Sequence, residues 1–503
     1  LSDPSSCEAT LGAGCVNLPP GVLQSLSIKN DQNPSREGGL DRSAVVLDIG
    51  KSLVKLTLWD EETGTLIRRR TVANRSLETK RYRALDPAHI EGWLEPVLKE
   101  FAALGQIGAI IPVAHGAAAG VVRDGALAYP PIDYESRISP EVRASYETQR
   151  DPFWVTGSPA LPNGLNLGAQ LYQLENWNVL RDGDRLIPWP QYWSWLLSGD
   201  ASSEVSSLGC HTDLWAPSLG GPSPMSRRHG WSERFAPIRK ASEPVGFLTK
   251  DWAARTGIGS HPRIYCGVHD SNAALHGVRG FPEIGNREAT VLSTGTWFVA
   301  MRSTPDAFDI STLPEDRDCL VNVDVEGRLV PSSRFMGGME IERLCGGDSE
   351  MFFAPQYLTN AVRQAVEAGV MILPAFVPGV GPFPRGRGRW IGTCESDAVR
   401  IGAVALYAAL LADRSLELIG ARERIVVEGR FAHQSPFVSA LARLRPNDRV
   451  YVSHAEQGVE FGALRLAYPY LSAPSPLTEV EPAATHLADY RDRWRRLAAE
   501  KGA

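Results

Sequence analysis

Two α/β domains of similar design are what this sequence predicts, on three observations. At 503 residues the chain is too long for a single hydrophobic core, and two domains of about 200–250 residues are the natural division. Its 43% hydrophobic content is that of a soluble globular protein. A strand–glycine turn–strand element also occurs twice, at residues 44–60 and 289–301, each time opening a domain. A net charge of −6 gives no reason to expect nucleic acid or an anionic membrane as a partner, and no apolar run reaches the length of a membrane helix. The seven cysteines are scattered and never spaced CxxC, which argues against a disulfide framework or a structural zinc site. Reduced thiols in the cytoplasm are the simplest reading.

The first element is AVVLDIGKSLVKLTLWD. Residues 44–47 form a continuous apolar run suited to a strand buried on both faces, and Asp48 ends it. Gly50 and Ser52 form the turn. Val54, Leu56 and Leu58 then alternate with Lys55, Thr57 and Trp59 in the period of a second strand. A carboxylate at a strand end beside a glycine turn suits a metal-bound phosphate. The turn amides with Lys51 or Lys55 can face phosphate oxygens, and Asp48 can reach Mg²⁺ directly or through water. An ordinary hairpin would use the same Asp and Gly only to shape its turn.

Residues 1–42, rich in Ser, Gly, Pro and Asn, read as a flexible extension; their one apolar patch, 21–28, is too short and lacks the basic flank of a signal peptide. Beyond the hairpin, 65–72 supplies a third strand, and Asp86-Pro87 opens a helix through Ile90, Leu94, Val97, Leu98 and Phe101. Residues 106–113 form another buried strand, which stops at Ala114-His115-Gly116. An open α/β sheet places ligand contacts at such a strand end, although a lone histidine is more often structural. A proline-punctuated stretch at 129–134 and the turn GSPALPNGLNLG lead to a helix with Leu167, Leu171 and Leu174 on one face. LIPWPQYWSWLL (186–197) carries three tryptophans and a tyrosine, read as packing rather than as a sugar-stacking surface. EVSSLGCHTDL (204–214) offers small polar groups to a cleft.

In RIYCGVHDSNAAL (263–275) a short strand breaks at Gly267, and His269-Asp270 precede the opening turn of a helix. Local sequence favours Asp270 as a helix cap. As chemistry, the same carboxylate at a strand mouth takes the proton of a hydroxyl that attacks a phosphoryl group, with His269 binding that substrate. Residues 289–301, ATVLSTGTWFVAM, repeat the first hairpin with Ser293-Thr294-Gly295-Thr296 as a hydroxyl-rich turn. Two such turns, one per domain, predict a phosphate-binding cleft between them.

The order DIGKSLVK, AHG, GVHDSNAAL, STGTW, over residues 44 to about 470, resembles the FGGY family of carbohydrate kinases. That family shares its fold with actin, the hexokinases and the large heat-shock chaperones. His115-Gly116 is similar to the pair in xylulose kinases, while His269-Asp270, GLNLGAQLYQLE and LIPWPQYWSWLLSG resemble rhamnulose kinases. The resemblance implies two actin-like (ribonuclease H-like) α/β domains around a nucleotide and sugar cleft. Residues 43–279 would hold the sugar site and catalytic base, 280–485 the nucleotide site, and 486–503 a terminal helix. It implies ATP- and Mg²⁺-dependent phosphorylation of a sugar or polyol hydroxyl, with a ketose of the rhamnulose, fuculose or xylulose type preferred. Asp270 would be the catalytic base, and His115, Gly116, His269 and Arg334 would contact substrate. Gly50, Lys51, Ser52, Lys55, Ser293, Thr294, Gly295, Thr296 and Gly429 would hold nucleotide and phosphates.

Phe335-Met336-Gly337-Gly338 leads into a helix as in that family, and 396–419 reads as a long amphipathic helix behind the nucleotide. Arg385, Arg387 and Arg389 in GVGPFPRGRGRW look like a nucleic-acid patch, but three arginines in a glycine loop of an acidic protein are read as solvated or near a phosphate. Residues 456–467 resemble the family's closing helix, and 485–499 read as a charged helix anchored by Trp494. There are two departures. Lys51 stands where the family has a small residue. Glu428-Gly429-Arg430 keeps one glycine of a triple-glycine turn that brings backbone close to adenine and ribose. This second departure leaves open a catalytically silent ATP- or sugar-binding regulator; an ATPase chaperone is less favoured, because no peptide-binding domain is evident. The identity of the sugar and the oligomeric state, a homodimer included, are not legible.

Overall fold

A computed structural model describes residues 40–499 apart from 260, 348, 355–359 and 456. The extension read at 1–42 lies outside the described residues as far as 39, and its last three residues already belong to the first strand. That strand, β1 (Leu40–Ile49), continues into β2 (Leu53–Asp60) and β3 (Leu66–Ala73) as an antiparallel meander. Helix α1 (Pro87–Ala102) starts on Asp86, whose Oδ1 accepts the His89 N–H at 3.0 Å. It buries Ile90, Leu94, Val97, Leu98 and Phe101 against the sheet and returns the chain to β4 (Gly105–Ala114), parallel to β1.

Then follow α2 (Leu167–Asn176), α3 (Trp189–Ser198), β5 (Pro244–Phe247), β6 (Arg263–Tyr265), β7 (Val268–His269) and α4 (Asp270–Val278). Trp189, Tyr192 and Trp193 of α3 are buried in the core beside β4, the packing role expected of them. The first sheet runs β5-β6-β4-β1-β2-β3, with β7 also paired to β4.

The second half repeats this plan. Its elements are β8 (Ala289–Thr294), β9 (Phe298–Ser303), β10 (Cys319–Val323), β11 (Leu329–Phe335), α5 (Gly337–Leu344) and α6 (Asp397–Leu418). They continue with β12 (Arg424–Gly429), α7 (Ser435–Leu444), β13 (Arg449–Val452), α8 (Gly458–Ala467), β14 (Thr478–Glu479) and α9 (Ala488–Ala499). The second sheet runs β10-β11-β9-β8-β12-β13-β14. In both sheets a hairpin is extended by antiparallel strands on one side and by a parallel strand on the other.

One expectation changes here. Helix α6 is not amphipathic over its middle: residues 401–413 are buried without a break. It lies between the second sheet and two further helices, α7 and Ala361–Glu367, so no face is left for water. Gly402 permits this, because a Cβ there would stand 1.9 Å from the Ala361 carbonyl oxygen. The terminal helix α9 is anchored by Trp494, as its sequence suggests. Trp494 is 1% exposed and donates its Nε1–H to Ile372 O at 2.7 Å, within the second core.

The halves are joined by an exchange of helices. Leu275 and Val278 of α4, which follows the first sheet, pack with Val291 and Val426 of the second. Phe461, Ala463 and Leu464 of α8, which follows the second sheet, pack with Ala44, Val46 and Ala109 of the first. The two helices cross at backbone contact: a Cβ on Gly462 would lie 1.8 Å from Ala273 O, and one on Gly277 2.8 Å from Gly458 O. A second junction forms at β10, where the Val321 N–H donates to Gly157 O at 2.8 Å. Gly462→Val is expected to destabilise the fold by about 1–3 kcal/mol or more through overpacking at the crossing. The midpoint of urea unfolding reads this out, and an unchanged midpoint would mean that the helices part without cost.

Candidate active site

Because β4 pairs in parallel with both β1 and β7, three strands end side by side: Asp48 stands opposite Val113, and His269 opposite Ala114. Asp48, His115, His269 and Asp270 therefore gather at the carboxyl edge of the first sheet, where an open α/β sheet meets its ligands. Asp48 is 3% exposed. Lys55, its cross-strand partner, donates to Asp48 Oδ2 at 2.7 Å and to Glu460 Oε1 of α8 at 3.0 Å. Burial, opposed by Lys55 and reinforced by the charges of Glu460 and Asp270, pushes the Asp48 carboxyl up to about 7.

The first turn offers backbone rather than ammonium groups. Lys51 Nζ is held by Asp133, lies 3.3 Å from Glu135 and sits 4.7 Å over the Tyr134 ring. Both lysines expected on phosphates are thus engaged by carboxylates. Gly50 closes the turn with its N–H on Leu53 O at 3.0 Å, which leaves the Lys51 and Ser52 amides with no acceptor among the described residues. The second turn repeats this: Gly295 donates to Trp297 O at 3.0 Å, and the Thr296 and Trp297 amides are left over. Two consecutive amides of this kind form an anion-binding concavity.

Thr294 ties the second turn to the altered glycine turn. Its Oγ1 donates to Glu428 O at 2.5 Å and accepts the Phe431 N–H at 3.2 Å. Gly429 has φ +87°, and a Cβ there would lie 2.4 Å from Thr294 O, so glycine is required at that point. The residues that replace its neighbours have partners of their own. Glu428 is bonded to Ser293 and its carboxyl is raised by burial. Arg430 pairs with Glu350 and lies 4.8 Å over the Phe353 ring.

Asp270 is the first residue of α4, and His269 is the N-cap. This corrects the cap reading. A capping carboxylate stands one residue earlier and accepts from an amide two or three residues on, whereas Asp270 Oδ1 takes the adjacent Ser271 N–H at 2.6 Å. The same oxygen faces His269 Nε2 at 3.2 Å, and the side chain remains 30% exposed. Burial lowers the pKa of both histidines. His115 donates Nδ1–H to Gly116 O at 2.8 Å, and its buried Nε2 has no partner among the described residues. Gly116 packs directly on the other histidine, since a Cβ would lie 3.0 Å from His269 Nε2.

Arg334 on β11 is gripped by Asp318 Oδ1 through Nε and Nη2, both at 3.1 Å, and lies 4.9 Å over the Trp297 ring. Its charge reaches Cys210 and His211, and burial together with that charge pushes His211 down to about 4. Cys210 Sγ is 3.4 Å from His269 Nε2. Sequence reasoning did not single out Cys210, His211, Asp133, Tyr134 or Glu460. The available signal was coarse: 204–214 offered small polar groups and 129–134 broke into prolines, but their partners lie far away in the chain.

Residues 286–475 match the family described as "Carbohydrate kinase FGGY, C-terminal domain". No curated protein matches the chain. A carbohydrate kinase from Novosphingobium aromaticivorans is 48% identical, with a TM-score of 0.88 over 91% of this chain and 98% of that one. The chain belongs to the FGGY carbohydrate kinase family. A xylulose kinase from Rhodospirillum rubrum (17% identity, TM-score 0.73, 91% of this chain and 98% of that one) shares the fold. So does a glycerol kinase from Plasmodium falciparum solved with ADP (13%, 0.74, 93% and 99%). The two repeated sheets of this FGGY kinase are accordingly the two domains of the actin-like fold. None of its described helices is long and apolar enough to cross a membrane.

The raised Asp48 carboxyl predicts a pH signature. Its folded pKa lies above the ordinary 3.8, so its stabilising contribution is complete below that value and is lost as pH rises through about 7. Asp48→Asn escapes this loss. Its melting temperature relative to wild type should therefore be higher at about pH 8 than at about pH 5. A difference that does not vary between those pH values would refute the raised carboxyl.

Proposed function

We propose that this FGGY kinase transfers the γ-phosphoryl group of ATP to a hydroxyl of a small ketose. The observation that carries the reading is the Asp270 carboxylate, part-exposed at the strand edge with Oδ1 engaged by Ser271 and His269. Oδ2 is then the oxygen to take a proton. His115 adds the substrate preference. It is neutral, its one N–H is committed to Gly116, and Nε2 can only accept, which suits a hydroxyl and not a cation.

The paired amides at Lys51-Ser52 and Thr296-Trp297, with the close backbone at Gly429, fit the phosphates of ATP. Asp48 fits Mg²⁺: the charges of Glu460 and Asp270 both act on it beside a single ammonium, Lys55, and that excess of carboxylates favours a dication. When bound, Mg²⁺ would neutralise charge on the β- and γ-phosphates. In the transfer, the sugar oxygen bonds to the γ-phosphorus as the bond to the β,γ-bridging oxygen breaks. The hydroxyl proton passes to Asp270 and ADP leaves. Closure of the two halves excludes water, which would otherwise accept the phosphoryl group.

The rhamnulose, fuculose or xylulose type of substrate rests on His115-Gly116 and His269-Asp270. Glu428 and Arg430, which left a silent regulator open, are occupied by Ser293 and Glu350 and leave Gly429 against the second turn, so turnover is favoured over silence. ADP release from Mg·ATP against ketoses, deoxyketoses and polyols, with Asp270→Asn in parallel, tests the reading. Ketose-dependent release should fall by about 10²–10⁴-fold in the variant, with nucleotide binding retained. Release with polyols alone would replace the ketose. Near-wild-type release in Asp270→Asn would remove the base, and binding without release would restore the silent regulator.

A further inference from the structure

A cavity of about 290 Å³ opens where the start of α9's last turn, the end of α6 and the loop around Phe383 meet. Arg317, Arg385, Arg414 and Arg495 line it, against one lining carboxylate, Asp316. Two of these arginines are fixed from behind. Arg495 Nη2 lies 2.7 Å from Asp413 and 2.5 Å from Glu417, and Arg414 lies 3.1 Å from Glu417. Arg385 has only a loose contact with Asp316, at 3.8 Å, and Arg317 forms no ion pair among the described residues. Phe383, edge-on to the buried Trp494 at 5.3 Å, supplies a rigid apolar wall.

We infer that this cavity is a second ligand site, built for the dianion of a small phosphomonoester. It goes beyond the transfer reaction, since its residues are distinct from those of the strand-edge site. The planar guanidinium fork pairs bidentately with phosphate oxygens, and two anchored and two unanchored forks can close around one dianion. The volume is at the low end of ligand pockets, which run to about 300–1,000 Å³, so a phosphate on a few carbons fits and a polymer does not. The arginines of the glycine loop thus divide: Arg385 faces the cavity, and Arg387 and Arg389 do not line it.

The site is wired to the catalytic edge. Arg317 immediately precedes Asp318, which grips Arg334 through Oδ1 and takes the Gly381 N–H on Oδ2 at 2.7 Å. Gly381 in turn precedes the cavity-lining Pro382. Both walls of the cavity therefore converge on the carboxylate that positions Arg334 beside Trp297, so drawing Arg317 and Arg385 onto an anion acts on Arg334.

Titration calorimetry of the full chain, without nucleotide, tests this with inorganic phosphate, glycerol 3-phosphate and, as the uncharged control, glycerol. Because it needs no turnover, its outcome is independent of the kinase reading. The double variant Arg317→Gln/Arg385→Gln should bind either anion at least about tenfold more weakly, from the loss of charge-assisted hydrogen bonds, with an unchanged melting temperature. Tighter binding of the monoester assigns an organic phosphate, and tighter binding of phosphate assigns the free ion. Absence of saturable binding, or equal binding by the double variant, overturns the proposal.

Discussion

The crossing of α4 and α8 is the constraint on which the rest of the molecule depends. Each helix leaves one sheet and packs on the other, so the cores of the two halves are linked through this crossing. Only residues without side chains allow it, which is why Gly277 and Gly462 face Gly458 and Ala273 across the crossing. The helices also carry chemistry to that point. Asp270 opens α4, and Glu460, in the first turn of α8, meets Lys55. The candidate site is therefore assembled from both halves, and its geometry follows the angle between two helices in backbone contact.

Electrostatics work against stability at the same place. Asp48 is held buried among carboxylates with one lysine shared between two of them. Taking a carboxylate out of water is unfavourable unless a charge of opposite sign compensates it, and here compensation is partial. In the proposed reaction, a cation and phosphates would supply the missing compensation. The neutral, half-satisfied His115 is a parallel case: its buried Nε2 has no partner among the described residues, which the proposed reading assigns to a substrate hydroxyl.

The fold was largely legible because its elements advertise themselves locally. Val54, Leu56 and Leu58 alternate along β2, Asp86 caps α1, and a glycine turn joins the hairpin strands in each half. The strand-edge residues were legible because they sit at the ends of those elements. What escaped was long-range. Lys51 looked like a phosphate ligand because its neighbours are a glycine turn, yet its ammonium is taken by Asp133, 82 residues on. Lys55 is taken by Glu460, 405 residues on. Helix α6 looked amphipathic because its charged residues stand near its ends, and only the helices packed over it reveal that its middle has no exposed side. Asp270 mimicked a cap because sequence places helix starts only to within a residue or two.

The contact at β10 has a consequence for the resting protein. β10 is the last strand on its side of the second sheet, and such a strand offers unpaired backbone groups to any passing chain. Here the first half covers it, with Gly157 accepting from Val321, while Gly209 lies against Val323 so closely that a Cβ would be 2.4 Å from its Cγ2. Any opening of the molecule that separates these contacts bares a hydrophobic β edge. The seam between the halves therefore doubles as the guard on an edge that would otherwise recruit a second chain.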